Sequence, residues 1–367
     1  MIIFIPFLLN GQKENTLEIA GIRINMDSLD INRSYHSETI LSKNNSGNND
    51  TLVRKETRSY IVSSSRNKKF IGISAVDITS HKNSYDLSFQ NSTLSIYSND
   101  NKLIFKDFMT GRRAGLCLIS DNAEFIHAGW ISNNDEDQNS VKLVTYNPAG
   151  ERIHTIDNID KIYHGNDINE IFYTKDASGN INDENYKTIY YHNYQTNSDW
   201  KKTFSNSPYT ILIDAVSNDG KNIICIADKI YSIDNKGNIL WSSSDAPGFF
   251  HFSDDAKYVE QFPRPGQLIV YDNSNGKIIL RKDFVDKKSF YPYLGNFVSN
   301  TKEYILALYS NTGSEVISFF NLKGEVLQTI KISSFKDVSR IRVEVIQKNL
   351  DVYLNDQALT NKFEILW

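Results

Sequence analysis

The feature that most constrains this chain is a four-strand pattern that occurs twice in a row between Thr210 and Phe284. The first copy reads TILIDAVSNDGKNIICIADKIYSIDNKGNILWSSS, and the second reads GFFHFSDDAKYVEQFPRPGQLIVYDNSNGKIILRKDF. In both copies, short runs of alternating apolar and polar residues are separated by Asn, Asp and Gly. This alternation with turn residues predicts β-strands joined by tight turns.

Similar repeats extend from Ser59 to the end of the chain. A Ser-x-x-x-Lys/Glu turn joins strands one and two, and an Asn/Asp/Gly turn joins strands three and four. The second turn follows a set of equivalent residues spaced 49, 45, 42, 38 and 49 residues apart, namely Tyr97, Tyr146, Tyr191, Ile233, Tyr271 and Phe320. Four strands repeated at this spacing predict an all-β fold, a β-propeller of four-stranded antiparallel blades. We predict seven blades, with six or eight as the alternatives.

Two turns carry a resemblance to known families. SNDGKNI from Ser217 resembles the Ser-Pro-Asp-Gly-Lys turn of WD40-like and TolB-type propellers, and Ile233–Trp241 resembles the Asp-x-x-Gly-x-x-x-Trp segment of quinoprotein-like repeats. The resemblance covers Ser59–Trp367 and implies an architecture rather than an activity. The turns lack the proline, only the fourth repeat has the tryptophan in this segment, and the chain has no Trp-Asp dipeptide.

The chain before the repeats divides into two segments. Residues 1–15 contain an apolar run that is too short to span a bilayer. We interpret this segment as a leader or truncated signal, which favours a periplasmic, cell-surface or secreted protein over a cytoplasmic one; a buried strand or an uncleaved leader is the alternative. Residues 16–58 should provide a closing strand, Thr16–Met26, and a polar linker. The last repeat has only three strands, so this strand should pair with Lys362–Trp367 and close the ring of residues 59–367.

Composition excludes several classes of function. The net charge of −4 and the lack of basic runs argue against a nucleic-acid partner. Two cysteines are too few for a disulfide framework and should be buried thiols. The seven histidines lack zinc-ligand spacing, and His127 and His251 should be structural residues of strands. We therefore predict no catalytic, cofactor-binding or metal-binding residues and no transmembrane span; oligomeric state is not predicted.

The tryptophans are Trp130, Trp200, Trp241 and Trp367, and each falls in or beside a predicted strand. We expect them to pack between neighbouring blades. A platform on which sugars stack is the alternative.

The longest insertions fall on one predicted face of neighbouring blades: Val76–Asn91, Asn133–Asn139 and Lys175–Tyr186. Insertions on one face of a repeat protein often form its binding surface, although loops also grow wherever they are tolerated. The candidate binding residues are Tyr85, Phe89, Arg112, Arg113, Asp135, Glu136, Asp137 and Tyr186. We predict a non-enzymatic binding or scaffold protein that recognises a protein or a cell-surface polymer. The alternative is an enzyme with its active site in the central channel.

Overall fold

The computed structural model describes residues 16–19, 22–25, 34–41, 55–80, 87–110, 112–132, 141–176, 183–208, 210–253, 255–263, 267–283, 304–311, 314–332, 341–346, 349–354, 357–358 and 363–364. The chain divides into two compact units, Met1–Ile159 (unit 1) and Asp160–Trp367 (unit 2). Each unit is described by itself.

Unit 1 consists of antiparallel strands in three sheets: β1-β2, β3-β4-β5-β6-β7 and β8-β9-β10-β11. The strands are β1 (Thr16–Ile19), β2 (Ile22–Asn25), β3 (Ser34–Leu41), β4 (Lys55–Ser64), β5 (Phe70–Ser80), β6 (Leu87–Ser98), β7 (Leu103–Thr110), β8 (Arg112–Ile119), β9 (Ile126–Ser132), β10 (Val141–Tyr146) and β11 (Arg152–Tyr163), the last of which ends in unit 2.

Unit 2 continues the pattern. The end of β11 joins β12-β13-β14, and the next sheets are β15-β16-β17-β18, β19-β20-β21-β22, β23-β24-β25, and β26-β27 with β28 and β29 both on β27. The strands are β12 (Glu170–Lys175), β13 (Thr188–Asn193), β14 (Ser198–Thr203), β15 (Leu212–Val216), β16 (Asn222–Ile226), β17 (Ile230–Asp234), β18 (Ile239–Ser243), β19 (Phe249–Phe252), β20 (Tyr258–Phe262), β21 (Gln267–Asp272), β22 (Ile278–Asp283), β23 (Tyr304–Asn311), β24 (Ser314–Asn321), β25 (Val326–Ile332), β26 (Ile341–Ile346), β27 (Asn349–Leu354), β28 (Gln357–Ala358) and β29 (Phe363–Glu364). A 3-10 helix spans Glu184–Lys187. Among the described residues, no helix is long and apolar enough to cross a membrane.

The two repeated turns have the predicted positions. In the first turn a buried serine hydroxyl accepts a backbone N–H from five residues ahead, at distances of 2.9–3.1 Å. The four serines are Ser65, Ser120, Ser217 and Ser253. In the second turn a glycine has a positive φ, for example Gly237 at 80° and Gly276 at 72°. Because these turns fix both hairpins of a sheet, the four-strand prediction is confirmed for β15–β18 and β19–β22.

The first long sheet, β3-β4-β5-β6-β7, differs from the prediction in two ways. Strand β3 pairs with β4 along its whole length, from Ser34↔Val62 to Leu41↔Lys55, and the sequence did not predict this strand. The interpretation of Val76–Asn91 as a loop is also wrong, because β5 runs to Ser80 and β6 begins at Leu87. Both segments contain β-branched and aromatic residues at alternating positions, which favour strands more than their polar neighbours oppose them.

The N-terminal segment forms a hairpin and not the single strand predicted for Thr16–Met26. Strands β1 and β2 pair with each other, from Thr16↔Asn25 to Ile19↔Ile22. Ile24 is 1% exposed and packs with Val62 and Ile71 of the first long sheet. Closure of the ring by this segment stays a prediction. Of its expected partner, the structure describes Phe363–Glu364, which pairs with β27.

We expect Ile24→Ala to destabilise the protein by about 2–4 kcal/mol, because it leaves a cavity against Val62 and Ile71. Deleting residues 1–26 should lower the melting temperature further. Glu18→Ala is the matched control, because Glu18 is exposed on the paired strand. Urea unfolding measures the loss of stability in Ile24→Ala and in the deletion variant. An unchanged midpoint for Ile24→Ala would contradict the packing of Ile24 against Val62 and Ile71.

Successive sheets pack through large side chains at a repeated position. The third residue of the outer strand contacts the positive-φ glycine in the second turn of the following sheet. The four pairs are Phe105 with Gly150, Trp200 with Gly237, Trp241 with Gly276, and Leu280 with Gly324. Trp241 is buried in this contact, and Trp130 of β9 is buried in a cluster with Leu94 and Phe105 of the preceding sheet, as predicted. Trp200 shows that the fourth repeat is not alone in having the outer-strand tryptophan. Trp367 lies outside the described residues.

Candidate functional site

Each four-stranded sheet has two ends that differ in sequence. One end has the two repeated turns, and we call it the turn face. The other end has the start of the first strand and the connection between strands two and three, and we call it the connection face. The sequence predicts that the long insertions belong to the connection face.

Two apolar residues are exposed at the connection face of unit 2. Leu212 begins β15 and is 40% exposed, and Phe249 begins β19 and is 64% exposed. Their partners in the neighbouring strands, Ile226 and Phe262, occupy the same position of the two repeats. Two large apolar side chains at equivalent positions of consecutive repeats therefore meet solvent on the same face. The sequence pattern predicts neither residue as exposed, because alternation does not distinguish the end of a strand from its middle.

Tyr186 belongs to the same face. It lies in the 3-10 helix, whose first turn is capped by Asp183 through a 2.9 Å bond from Asn185 N–H. The carbonyl of Tyr186 accepts the N–H of Ile211 at 2.9 Å, directly before Leu212. The 3-10 helix before β13 thus lies beside the start of β15, with the backbone of Tyr186 next to Leu212.

The other candidate residues lie in unit 1 or outside the described residues. Arg112 starts β8 in unit 1, two residues after β7 ends at Thr110. Its Nη1 donates to the carbonyl of Trp130 at 3.2 Å, which holds the guanidinium against its own sheet. Arg113 lies in β8 and Phe89 in β6. Tyr85, Asp135, Glu136 and Asp137 lie outside the described residues, as does the segment Asn133–Asn139.

An aspartate connects the first strands of two consecutive sheets. Asp214 sits at a register shift between Ile213 and Ala215, and its Oδ2 accepts the N–H of Phe250 at 2.7 Å. Burial raises the pKa of Asp214, and the bond from Phe250 opposes part of that rise. The extra residue in β15 thereby provides an acceptor for a backbone N–H at the edge strand β19.

Tyr163 and His251 lie in the strands that precede and follow Asp214 at the same position of the repeat. Tyr163 ends β11, where this strand pairs with β12, and His251 lies in β19. Burial raises the pKa of Tyr163 to about 12, with smaller contributions from the negative charges of Asp160 and Asp214. Solvent reaches His251, yet desolvation lowers its pKa. Exposure together with desolvation is expected in a recess, where protein surrounds a group that water still contacts. His127, by contrast, is buried with Nδ1 2.9 Å from Thr145 Oγ1, as expected of a structural histidine.

Glu260 is the most unusual residue of unit 2. It lies in β20 opposite His251 and Val270, and it is 0% exposed. Within the described residues, neither carboxyl oxygen has a hydrogen-bond partner. Burial raises its pKa well above the usual value, so the carboxyl is neutral in this surrounding. The sequence does contain a signal for this residue. Glu260 shares its strand face with Tyr258 and Phe262, which predicts a core position for a charged side chain.

Among the described residues, no group of His, Cys, Asp and Glu is arranged to hold a metal ion.

Comparison with known proteins supports the architecture. No protein-family model and no curated protein matches the chain. A structure of a eukaryotic initiation factor matches with a TM-score of 0.51 at 10% identity, over 89% of this chain and 87% of that one. The Dos1 propeller matches at 9% identity with a TM-score of 0.46, over 93% and 94% of the two chains. BamB from Moraxella catarrhalis matches at 10% identity with a TM-score of 0.40, over 89% and 98%.

The antiparallel sheets in sequence order, with the match at a TM-score of 0.51, confirm the all-β propeller fold and the architecture-level resemblance. The number of blades stays a prediction. At this level of identity the comparisons define a fold and leave the function to the residues of the site.

Proposed function

We propose that this propeller is a non-enzymatic binding module that recognises a protein partner through the connection face of unit 2. The observation that supports this most is Phe249, a phenylalanine 64% exposed at the first position of a strand. Leu212 and Tyr186 extend the apolar surface on the same face. Large apolar anchors beside polar groups are typical of protein-binding surfaces.

A protein is a better fit to these residues than a cell-surface polymer. Sugars stack on flat aromatic platforms, whereas an aliphatic residue such as Leu212 contributes mainly by excluding water from an apolar contact. Asp183 and Glu184 flank Tyr186 and can attract a basic partner. The acidic residues Asp135, Glu136 and Asp137 are proposed to act in the same way.

The test compares exposed apolar residues on the two faces. Leu212→Ser and Phe249→Ser should each weaken the partner about 10- to 30-fold, as loss of an anchoring contact does. Ile239→Ser and Ile278→Ser are the matched controls, because these residues begin β18 and β22 of the same two sheets at the turn face, with 44% and 38% exposure. A partner captured from the source cells would be titrated against all four variants. If only the control variants weaken binding, the assignment of the face is wrong, and retention of a polysaccharide would point to the polymer.

A second function has its own supporting observation. Tyr163, Asp214 and His251 have shifted pKa values on three successive first strands, which is where an enzyme of this fold would hold its catalytic groups. Hydrolysis of a substrate by the wild-type protein, lost in both Asp214→Asn and His251→Gln, would favour the enzyme.

A further inference from the structure

We propose that Phe249, His251 and Glu260 form a binding site for an organic ammonium group on the sheet β19–β22. The proposal deepens the proposed function, because it names the chemical group that the partner presents near Phe249. The site itself depends only on the residues of β19 and β20.

The register of β19 and β20 places these residues together. Phe249 pairs with Phe262 and His251 pairs with Glu260 in the antiparallel ladder. Directly opposed residues point to the same face of a sheet with their Cβ atoms about 4.5–5.5 Å apart. The rings of His251 and Phe262 confirm the closeness, with centroids 6.3 Å apart and planes at 68°.

Exposure decreases in steps across this group. Phe249 and His251 are exposed, whereas Glu260 and Phe262 are buried. The four side chains therefore lead from solvent at the connection face to a carboxyl group inside the sheet packing. A ligand that enters beside Phe249 meets two aromatic rings, an imidazole and then an acid.

Packing alone does not explain the carboxyl group. In the preceding sheet the same ladder position is occupied by Ile224, which pairs with Ala215 and is completely buried. An aliphatic side chain is thus sufficient at this position of the repeat. A buried carboxyl without a hydrogen bond makes the folded protein less stable than a satisfied one would. The sequence keeps Glu260 despite this loss, which indicates a role for the carboxyl group.

The surroundings favour one class of ligand. A carboxylate repels anions, and one carboxyl with one imidazole provides too few ligands for a tightly held metal ion. A bound ammonium group opposes the effect of burial on the pKa of Glu260, so the carboxyl releases its proton to the buffer and becomes the countercharge. The faces of Phe249 and Phe262 add cation–π attraction. The alkyl chain behind the ammonium would lie along the same rings. Either a free amine or the side chain of a lysine in a protein partner has this chemistry.

The experiment uses n-butylammonium chloride as the probe, with sodium butyrate and n-butanol as controls at equal ionic strength in amine-free phosphate buffer. Calorimetric titration of the full chain should show saturable binding of butylammonium in the millimolar range, as expected for so small a ligand. Butyrate and butanol should not compete. Glu260→Gln should weaken butylammonium at least about 10-fold, while Glu325→Gln, a change at an exposed carboxyl in a repeated turn of the same unit, should leave it unchanged.

Two further variants separate this proposal from the proposed function. Leu212→Ser should weaken the protein partner but bind butylammonium normally, and Phe249→Ser should weaken both. Competition between butylammonium and the partner would identify a lysine as the source, whereas binding of the probe without competition would identify a free amine. Equal binding of butanol, or unchanged butylammonium binding by Glu260→Gln, would overturn the ammonium site and leave the binding face untouched.

Discussion

Glu260→Gln should be more stable than the wild-type protein at pH 8, and the two should approach each other at pH 4. The carboxyl is completely buried with no hydrogen bond among the described residues, and burial raises its pKa well above the usual value. In the unfolded chain the same group has a pKa near the usual value and ionises. Unfolding above that value therefore releases a proton.

The direction of the pH dependence follows from this proton. The neutral carboxyl contributes its full stability below the pKa that Glu260 has in the unfolded chain. This contribution falls as pH rises toward the pKa that Glu260 has in the folded protein. Over that window the wild-type protein should lose about 1.4 kcal/mol per pH unit relative to the glutamine variant. His251, opposite Glu260, has a lowered pKa and acts in the other direction, since its contribution falls as pH decreases through 6.5. Because His251 is present in both proteins, its effect largely cancels in the comparison.

Urea unfolding at pH 4, 5, 6, 7 and 8 measures the difference, in amine-free phosphate–citrate buffer so that no ammonium ligand is present. Glu184→Gln serves as the control, because the Glu184 side chain is exposed and its removal should shift stability little at any pH. Parallel stability curves for wild type and Glu260→Gln would show that the carboxyl is solvated or paired in the folded protein.

The repeat was predictable from sequence because several independent signals coincide in it. The serine turns, the positive-φ glycines and the equivalent residues from Tyr97 to Phe320 occur at constant positions, and each has a local physical cause. The hydroxyl of Ser217, for example, needs only the N–H of Asn222, five residues away. Local bonds of this kind leave a clear sequence pattern.

Features that depend on distant partners were missed. Strand β3 pairs with β4 across residues 42–54, and nothing near Ser34–Leu41 in sequence indicates that partner. Asp214 bonds to Phe250 N–H through a one-residue register shift, which alternation alone does not reveal. The exposure of Leu212 and Phe249 depends on which neighbours cover them. The structure therefore defines the candidate site. Of the sequence candidates that the structure describes, Tyr186 lies in it.

The contact between an outer strand and the next turn recurs with the same types of side chain in both units. Trp241 in β18 stacks on Tyr271 of the following sheet, with ring centroids 5.0 Å apart and planes at 16°. Its Nε1 donates to Asn273 Oδ1 at 3.3 Å. The Tyr271 hydroxyl lies 2.9 Å from Asp245 Oδ2, and Arg281 Nη2 donates to Asp245 Oδ1 at 3.2 Å. Asp107, Tyr146 and Arg152 repeat this set in unit 1, with Tyr146 donating to Asp107 at 2.7 Å.

Trp241→Ala is accordingly expected to lower the free energy of unfolding by about 3–5 kcal/mol, because it empties the space between two sheets and leaves Asn273 without this donor. Gly276→Ala tests the same contact from the other side. Its added Cβ would lie 2.7 Å from both Cβ and Cγ of Trp241, at a φ of 72°. Left-handed backbone costs alanine about 1–2 kcal/mol, and the overlap adds about 1–3 kcal/mol.

Gly237→Ala is the matched comparison, because it has the same backbone strain with a φ of 80° but a nearest contact of 3.2 Å, to Cδ2 of Trp200. It should therefore cost only the backbone contribution and a small adjustment of one ring. Urea unfolding of the three variants should rank them with Trp241→Ala and Gly276→Ala well below Gly237→Ala. Equal losses for the two glycine variants would mean that the turn conformation alone, and not the packing of the turn on Trp241, holds this pair of sheets together.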